Sequence, residues 1–122
     1  MENKSYKEML IKRSYKFSLE IIKFIDTFTR KDFSLEIIAR QLIRSATSIG
    51  ANIIEAQASS SKKDFTNFIN HALKSSNETK YWLALSRDSQ KVSEEKVEAL
   101  LKEACELSNM LGSSILSLRG KK

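Results

Sequence analysis

The sequence contains no proline, three glycines, one cysteine and one histidine. Proline and glycine are the residues that turn a chain, so their scarcity argues against turn-rich β architectures and for a few long helices with short links. The lone cysteine, Cys105, excludes an intrachain disulfide and offers no thiolate pair to a metal; it is expected as a small apolar filler on a helix. The lone histidine, His71, follows Phe68 by three residues, so the Glu-x-x-His pairs that hold metals in ferritin-like bundles are missing. No Cys-x-x-Cys pair, phosphate-cradling glycine loop or G-x-S-x-G elbow occurs. The longest uncharged run, Leu107 to Leu118, carries serines and an asparagine and falls short of the ~20 apolar residues that span a bilayer. These absences predict no enzyme, no cofactor, no metal and no membrane span, with the cytoplasm as the default compartment.

What is present is enough for one core. At 122 residues the chain has about one domain's length, and 41% hydrophobic with 30% charged residues is a globular balance. The formal net charge is +6. Positive charge concentrates in residues 1–31, with eight Lys/Arg against four Asp/Glu, and in 61–92, with six against three. Residues 93–118 reverse the sign, with two against five. Such a balance permits contact with polyanions, and ordinary solvated helix faces would produce it too.

Apolar periodicity divides the chain into four helical segments, about 6–29, 34–57, 62–89 and 94–118, followed by a basic tail at 119–122. Leu10, Phe17, Ile21, Phe24 and Phe28 share one face of the first. Ser34 is the expected N-cap of the second, Ser61 of the third with Asp64 in its first turn, and Ser93 of the fourth with Glu94 and Glu95. Short links make sequential helices antiparallel neighbours. The predicted fold is therefore all-α, a single antiparallel up-down four-helix bundle over residues 1–122. The hexapeptide Phe-Ser-Leu-Glu-Ile-Ile stands at 17–22 and again at 33–38, a period too short for a solenoid and read as chance or local duplication.

Two segments are more apolar than a bundle requires. The second gathers Ile38, Leu42, Ser45, Ala46, Ile49, Ile53 and Ala56 on one face, widened by Ala39 and by Ile43 or Ile54. The first carries a second stripe of Ile11, Tyr15, Ile22 and Ile25. Surplus apolar surface meets a partner, so a homo-oligomer is expected; the alternative is a monomer whose long side chains cover the excess. Two polar lines accompany these faces. Arg44, Ser48, Asn52 and Glu55 run along the second segment amid small residues that let another helix approach, and Gly50 beside them signals close packing or a bend. Lys63, Asn67, Asn70, Lys74, Asn77 and Tyr81 run along the third, a set that suits phosphates and unstacked bases or is simply solvated.

The stretch from Gln41 to Ala56, then Ser61-Lys62-Lys63-Asp64-Phe65 and Ala72-Leu73-Lys74-Ser75-Ser76-Asn77-Glu78, resembles the bacterial four-helix bundle proteins encoded in intervening sequences of large-subunit ribosomal RNA genes. The accessory variability determinant of diversity-generating retroelements is similar. The resemblance implies a homopentameric barrel with a basic surface for nucleic acid or a nucleic-acid-handling partner. Arg44, Ser48, Asn52, Glu55 and Glu78 match the family's motif. Gly50 stands where proline is usual, Ala56 where glycine is usual, and Lys74 where glycine is common. The function expected is non-catalytic binding of structured RNA or a ribonucleoprotein through Lys62, Lys63, Lys74 and Arg40. The alternative is a protein-binding adaptor for an enzyme such as a reverse transcriptase.

Overall fold

The computed structural model describes residues 4–120, so Lys121 and Lys122 of the basic tail lie outside the described residues. Four helices fill this span: α1 (Lys4–Ile25), α2 (Phe33–Gln57), α3 (Lys62–Asp88) and α4 (Glu94–Leu118). Side-chain caps set three of the starts. Ser61 accepts from the amide of Asp64, and Ser93 from the amide of Lys96.

The cap of α2 is Asp32, not the expected Ser34. Its carboxylate accepts from the amide of Leu35, and the Ser34 hydroxyl donates to it. A carboxylate at this position also meets the positive end of the helix dipole, which a serine inside the first turn cannot do as well. That amide bond, with Lys91 and Ser34 adding to it, holds Asp32 below the usual aspartate range.

α1 stops at Ile25, short of the expected end at 29. The amides of Thr27 and Phe28 turn back to the carbonyls of Phe24 and Ile25, tightening the last turn and bringing the Phe28 ring edge-on to Phe24 at 5.0 Å. Phe28 thus reaches the core from a turn. With so few glycines, the chain uses other residues in left-handed backbone: Lys31 at φ 69° before α2 and Gln90 at φ 62° before α4.

The helices form a ring in which each touches its sequence neighbours, and α1 closes against α4. Cross-contacts give the register. Ser48 meets Ser75 while Ser45 meets Thr79, and Tyr6 meets Met110 while Arg13 meets Glu103, so partners run in opposite directions. The architecture is an all-α, antiparallel up-down four-helix bundle. α3 packs closely on α2 and α4, whereas α1 sits more loosely on both sides.

The core takes Leu10, Phe17, Ile21 and Phe24 from α1, Leu42, Ile49 and Ile53 among others from α2, Ile69 and Leu83 from α3, and Val97, Leu107 and Leu111 from α4. α3 buries small and hydroxyl residues where the others bury large ones: Ala72, Ser76, Thr79 and Ser86. The hydroxyls find each other across the seams. Thr79 Oγ1 lies 3.0 Å from Ser45 Oγ, and Ser76 Oγ lies 2.7 Å from Ser108 Oγ. Among the described residues no buried side-chain nitrogen or oxygen lacks a partner, which removes the desolvation cost of such groups.

Gly50 is where the close packing foreseen for it occurs. A Cβ there would lie 3.2 Å from Ser14 Oγ of α1, so the glycine allows α1 to cross α2. Cys105 departs from expectation. It is exposed, because it follows the buried Ala104 by about 100° of helix rotation and turns away from the core.

The two copies of the hexapeptide are both helical and bury opposite halves. In α1, Phe17 and Ile21 are 2% and 0% exposed while Leu19 and Ile22 are 42% and 37% exposed. In α2, Leu35 and Ile38 are 1% and 6% exposed while Phe33 and Ile37 are 78% and 40% exposed.

Candidate nucleic-acid interface

α3 exposes one polar face along its length. Positions 63, 67, 70, 74, 77 and 81 return to the same side of a helix every seven or eleven residues, and Lys63, Asn67, Lys74, Asn77 and Tyr81 are exposed there with Asn70 half-buried. Lys62 adds a further exposed cation at the helix start. None of Lys62, Lys63 and Lys74 forms an ion pair within 4.0 Å among the described residues. Lys63 and Lys74 stand about 16 Å apart along the axis, at about 1.5 Å per residue. Asn77 is not wholly free, since its side-chain oxygen accepts from Ser108 at 3.3 Å. Tyr81 stacks edge-on to Trp82 at 5.0 Å, which steadies an exposed ring.

Arg40 does not join this face. It lies on α2, ion-paired to Glu36 at 2.9 Å. In the antiparallel register it stands opposite the region of Leu83, about 30 Å along the axis from Lys63.

The motif residues hold helices together. Arg44 forks between Gln41 and Glu78 of α3, and Glu78 accepts from the indole nitrogen of Trp82 at 2.9 Å. Ser48 accepts from the side-chain amide of Asn52 and from the Ser75 hydroxyl, each at 2.9 Å. Arg44, Ser48, Asn52 and Glu78 are therefore joined along the α2–α3 seam, while Glu55 is exposed toward the end of α2. The approach of another helix to this line, expected from its small neighbours, is the approach of α3 itself.

Two features were not read from the sequence. Arg13 of α1 grips α4, reaching Glu103 and Glu106 at 2.6 Å each. The hydrogen bonds to these carboxylates raise the arginine above its ordinary range, and the Arg13 contact lowers Glu106. No spacing rule links residues so far apart in the chain. The second is an apolar groove of about 590 Å³ between α1 and α2, lined by Ile11, Lys12, Tyr15, Leu19, Ile22 and Ile54 among others. Its signal was partly legible as the second α1 stripe, though Leu19 belongs to that stripe as well. Tyr15 is 67% and Ile54 51% exposed, so the surplus apolar flanks are not sealed within the chain.

His71 and Cys105 are both exposed, on different helices. The register that sets Ser76 beside Ser108 separates them by about 12 Å along the axis. Among the described residues no group of three His, Cys, Asp or Glu could hold a metal, and no helix is long and apolar enough to cross a membrane.

The family model described as 23S rRNA-intervening sequence protein matches residues 7–113. A crystal structure of a protein with unknown function from the S23 ribosomal protein family of Bacteroides thetaiotaomicron superposes with a TM-score of 0.80 at 35% identity, covering 87% of this chain and 97% of that one. No curated protein matches the chain. The matched span runs from the first turn of α1 to the last turns of α4 and takes in the motif line, the α2–α3 seam and the lysine face of α3. The chain belongs to the 23S rRNA-intervening sequence protein family.

Proposed function

We propose that this protein is a non-catalytic homo-oligomer, a pentamer as the family likeness implies, that binds structured RNA or a ribonucleoprotein through the outer face of α3. The observation that carries the reading is the row of exposed, unpaired lysines, Lys62, Lys63 and Lys74, interleaved with Asn67 and Asn70 on one rigid helix. Cations without carboxylate partners are available to phosphates, and side-chain amides between them can meet ribose or base edges. The uncovered apolar groove between α1 and α2 supports self-association. A family description that ties these proteins to ribosomal RNA intervening sequences supports RNA as the polyanion.

The test is fluorescence anisotropy with a base-paired hairpin RNA across a salt series. Binding should be measurable at ~50 mM salt and fall steeply as salt rises, because each phosphate contact releases counterions. A Lys62→Ala/Lys63→Ala/Lys74→Ala variant should bind more weakly with a salt slope shallower by up to ~2–3. No binding at ~50 mM salt removes the RNA reading. Recovery of a protein partner that survives nuclease treatment would move the assignment to an adaptor.

A further inference from the structure

The hexapeptide copies leave two apolar surfaces uncovered, and the surfaces differ in shape. Leu19 and Ile22 line the α1–α2 groove, which is concave. Phe33 and Ile37 stand exposed near the start of α2, and the antiparallel register places exposed Leu85 and Tyr81 near them at the end of α3. We propose that these are the two sides of one contact between copies of the chain: the Phe33, Ile37 and Leu85 surface of one copy seats in the α1–α2 groove of the next. The proposal rests on the homo-oligomer reading above and names the surfaces that build it.

Shape and charge both favour this pairing over groove against groove. Two concave surfaces leave a void between them, which forfeits the packing that makes apolar contact favourable. Of the α1 cations, Arg13 is paired to Glu103 and Glu106 of α4, Lys23 is paired to Glu20, and Lys16 borders α4, which leaves Lys12 at the groove. Lys12 lines the groove with no ion pair among the described residues, so facing grooves would set like charges together. Most cations around the Phe33 surface are held by carboxylates, Arg40 by Glu36, Lys91 by Asp32, and Arg87 by Asp88 and Glu98, while Arg30 and Lys31 just before Phe33 are exposed. α2 contributes to both surfaces from opposite flanks, Ile54 toward α1 and Ile37 on the outer α3 side. Because the two surfaces are unlike, the contact is heterologous, and successive copies close into a ring when the rotation allows.

The experiment measures mass by sedimentation for wild type, Tyr15→Lys (groove) and Phe33→Lys (projecting surface), with circular dichroism to confirm helicity. Both sites are exposed, and Ile54→Lys and Ile37→Lys replace any variant that fails to fold. Each variant alone should sediment as a monomer, its self-association weakened roughly 30-fold or more. An equimolar mixture should form a one-to-one heterodimer, since the intact groove of Phe33→Lys receives the intact surface of Tyr15→Lys. A mixture that stays monomeric, or a single variant that assembles like wild type, overturns the pairing while leaving the oligomer intact. A monomeric wild type overturns the oligomer reading and this assignment with it.

Discussion

The segments 17–22 and 33–38 have the same six residues, the same helical backbone and opposite burial. At about 100° per residue, Phe and the first Ile of the hexapeptide lie on one side of a helix, and Leu and the second Ile lie nearly opposite. The segment is thus apolar on two faces and has no local preference between them. Neighbours decide. In α1 the buried line Leu10, Ser14, Phe17, Ile21, Phe24 continues through the first face; in α2 the buried line Leu35, Ile38, Leu42 continues through the second. The half left out in each case becomes surface, and in this molecule it becomes the groove wall on one side and the projecting patch on the other.

Truncation separates the two copies most directly. Phe17→Ala should cost about 3–5 kcal/mol in urea unfolding below the assembly concentration, whereas Phe33→Ala should stay within about 0.5 kcal/mol. Similar losses at both sites would mean that the two copies are buried alike. The same contrast should hold at lower amplitude for Ile21→Val, about 1 kcal/mol, against Ile37→Val, close to zero.

Gly50 lets α1 lie close against α2. Replacing a mid-helix glycine by alanine gains about 1 kcal/mol of helix propensity, but here the new methyl would press on Ser14 Oγ. That hydroxyl is tied to the Ile11 carbonyl at 3.0 Å. Gly50→Ala should therefore be neutral or destabilising by itself and stabilising by up to about 1 kcal/mol in a Ser14→Ala background, where only the ordinary contact with Cβ remains. A stabilised single variant would show that α1 yields readily.

The smallest effect concerns the cap that starts the second hexapeptide. Asp32 has a depressed carboxyl pKa, chiefly through the Leu35 amide. Its contribution is therefore complete above the ordinary aspartate pKa and is lost as pH falls through the lower folded value. Melting temperature measured from neutral to acid pH should fall less for Asp32→Asn than for wild type, because asparagine caps without titrating. Equal slopes would remove the cap carboxylate as a source of acid sensitivity.

Much of this was open to reading along the chain. The α2 core face and the caps Ser61 and Ser93 depend on residues a few positions apart, whose geometry a helix fixes; Gly50 signals close packing by its type, while its partner Ser14 on α1 is set only by the tertiary structure. The lysine face of α3 was legible for the same reason, since Lys63 and Lys74 differ by eleven residues and so share a side. The Asp32 cap was missed because Ser34 is an equally good capping type, and only the backbone reveals where the helix begins. The Arg13 grip on Glu103 and Glu106, the remoteness of Arg40 and the union of the motif line with α3 are pairings between helices that no local spacing encodes.

By itself the sequence determined four amphipathic helices, short links and more apolar surface than one bundle can hide, because helical periodicity is set by each residue's near neighbours. What depends on the tertiary structure is that Arg13 of α1 grips Glu103 and Glu106 of α4, and that the polar line of α2 serves as a seam to α3. Those pairings follow from ion pairs and hydrogen bonds between helices distant in the chain, which no spacing along one helix encodes.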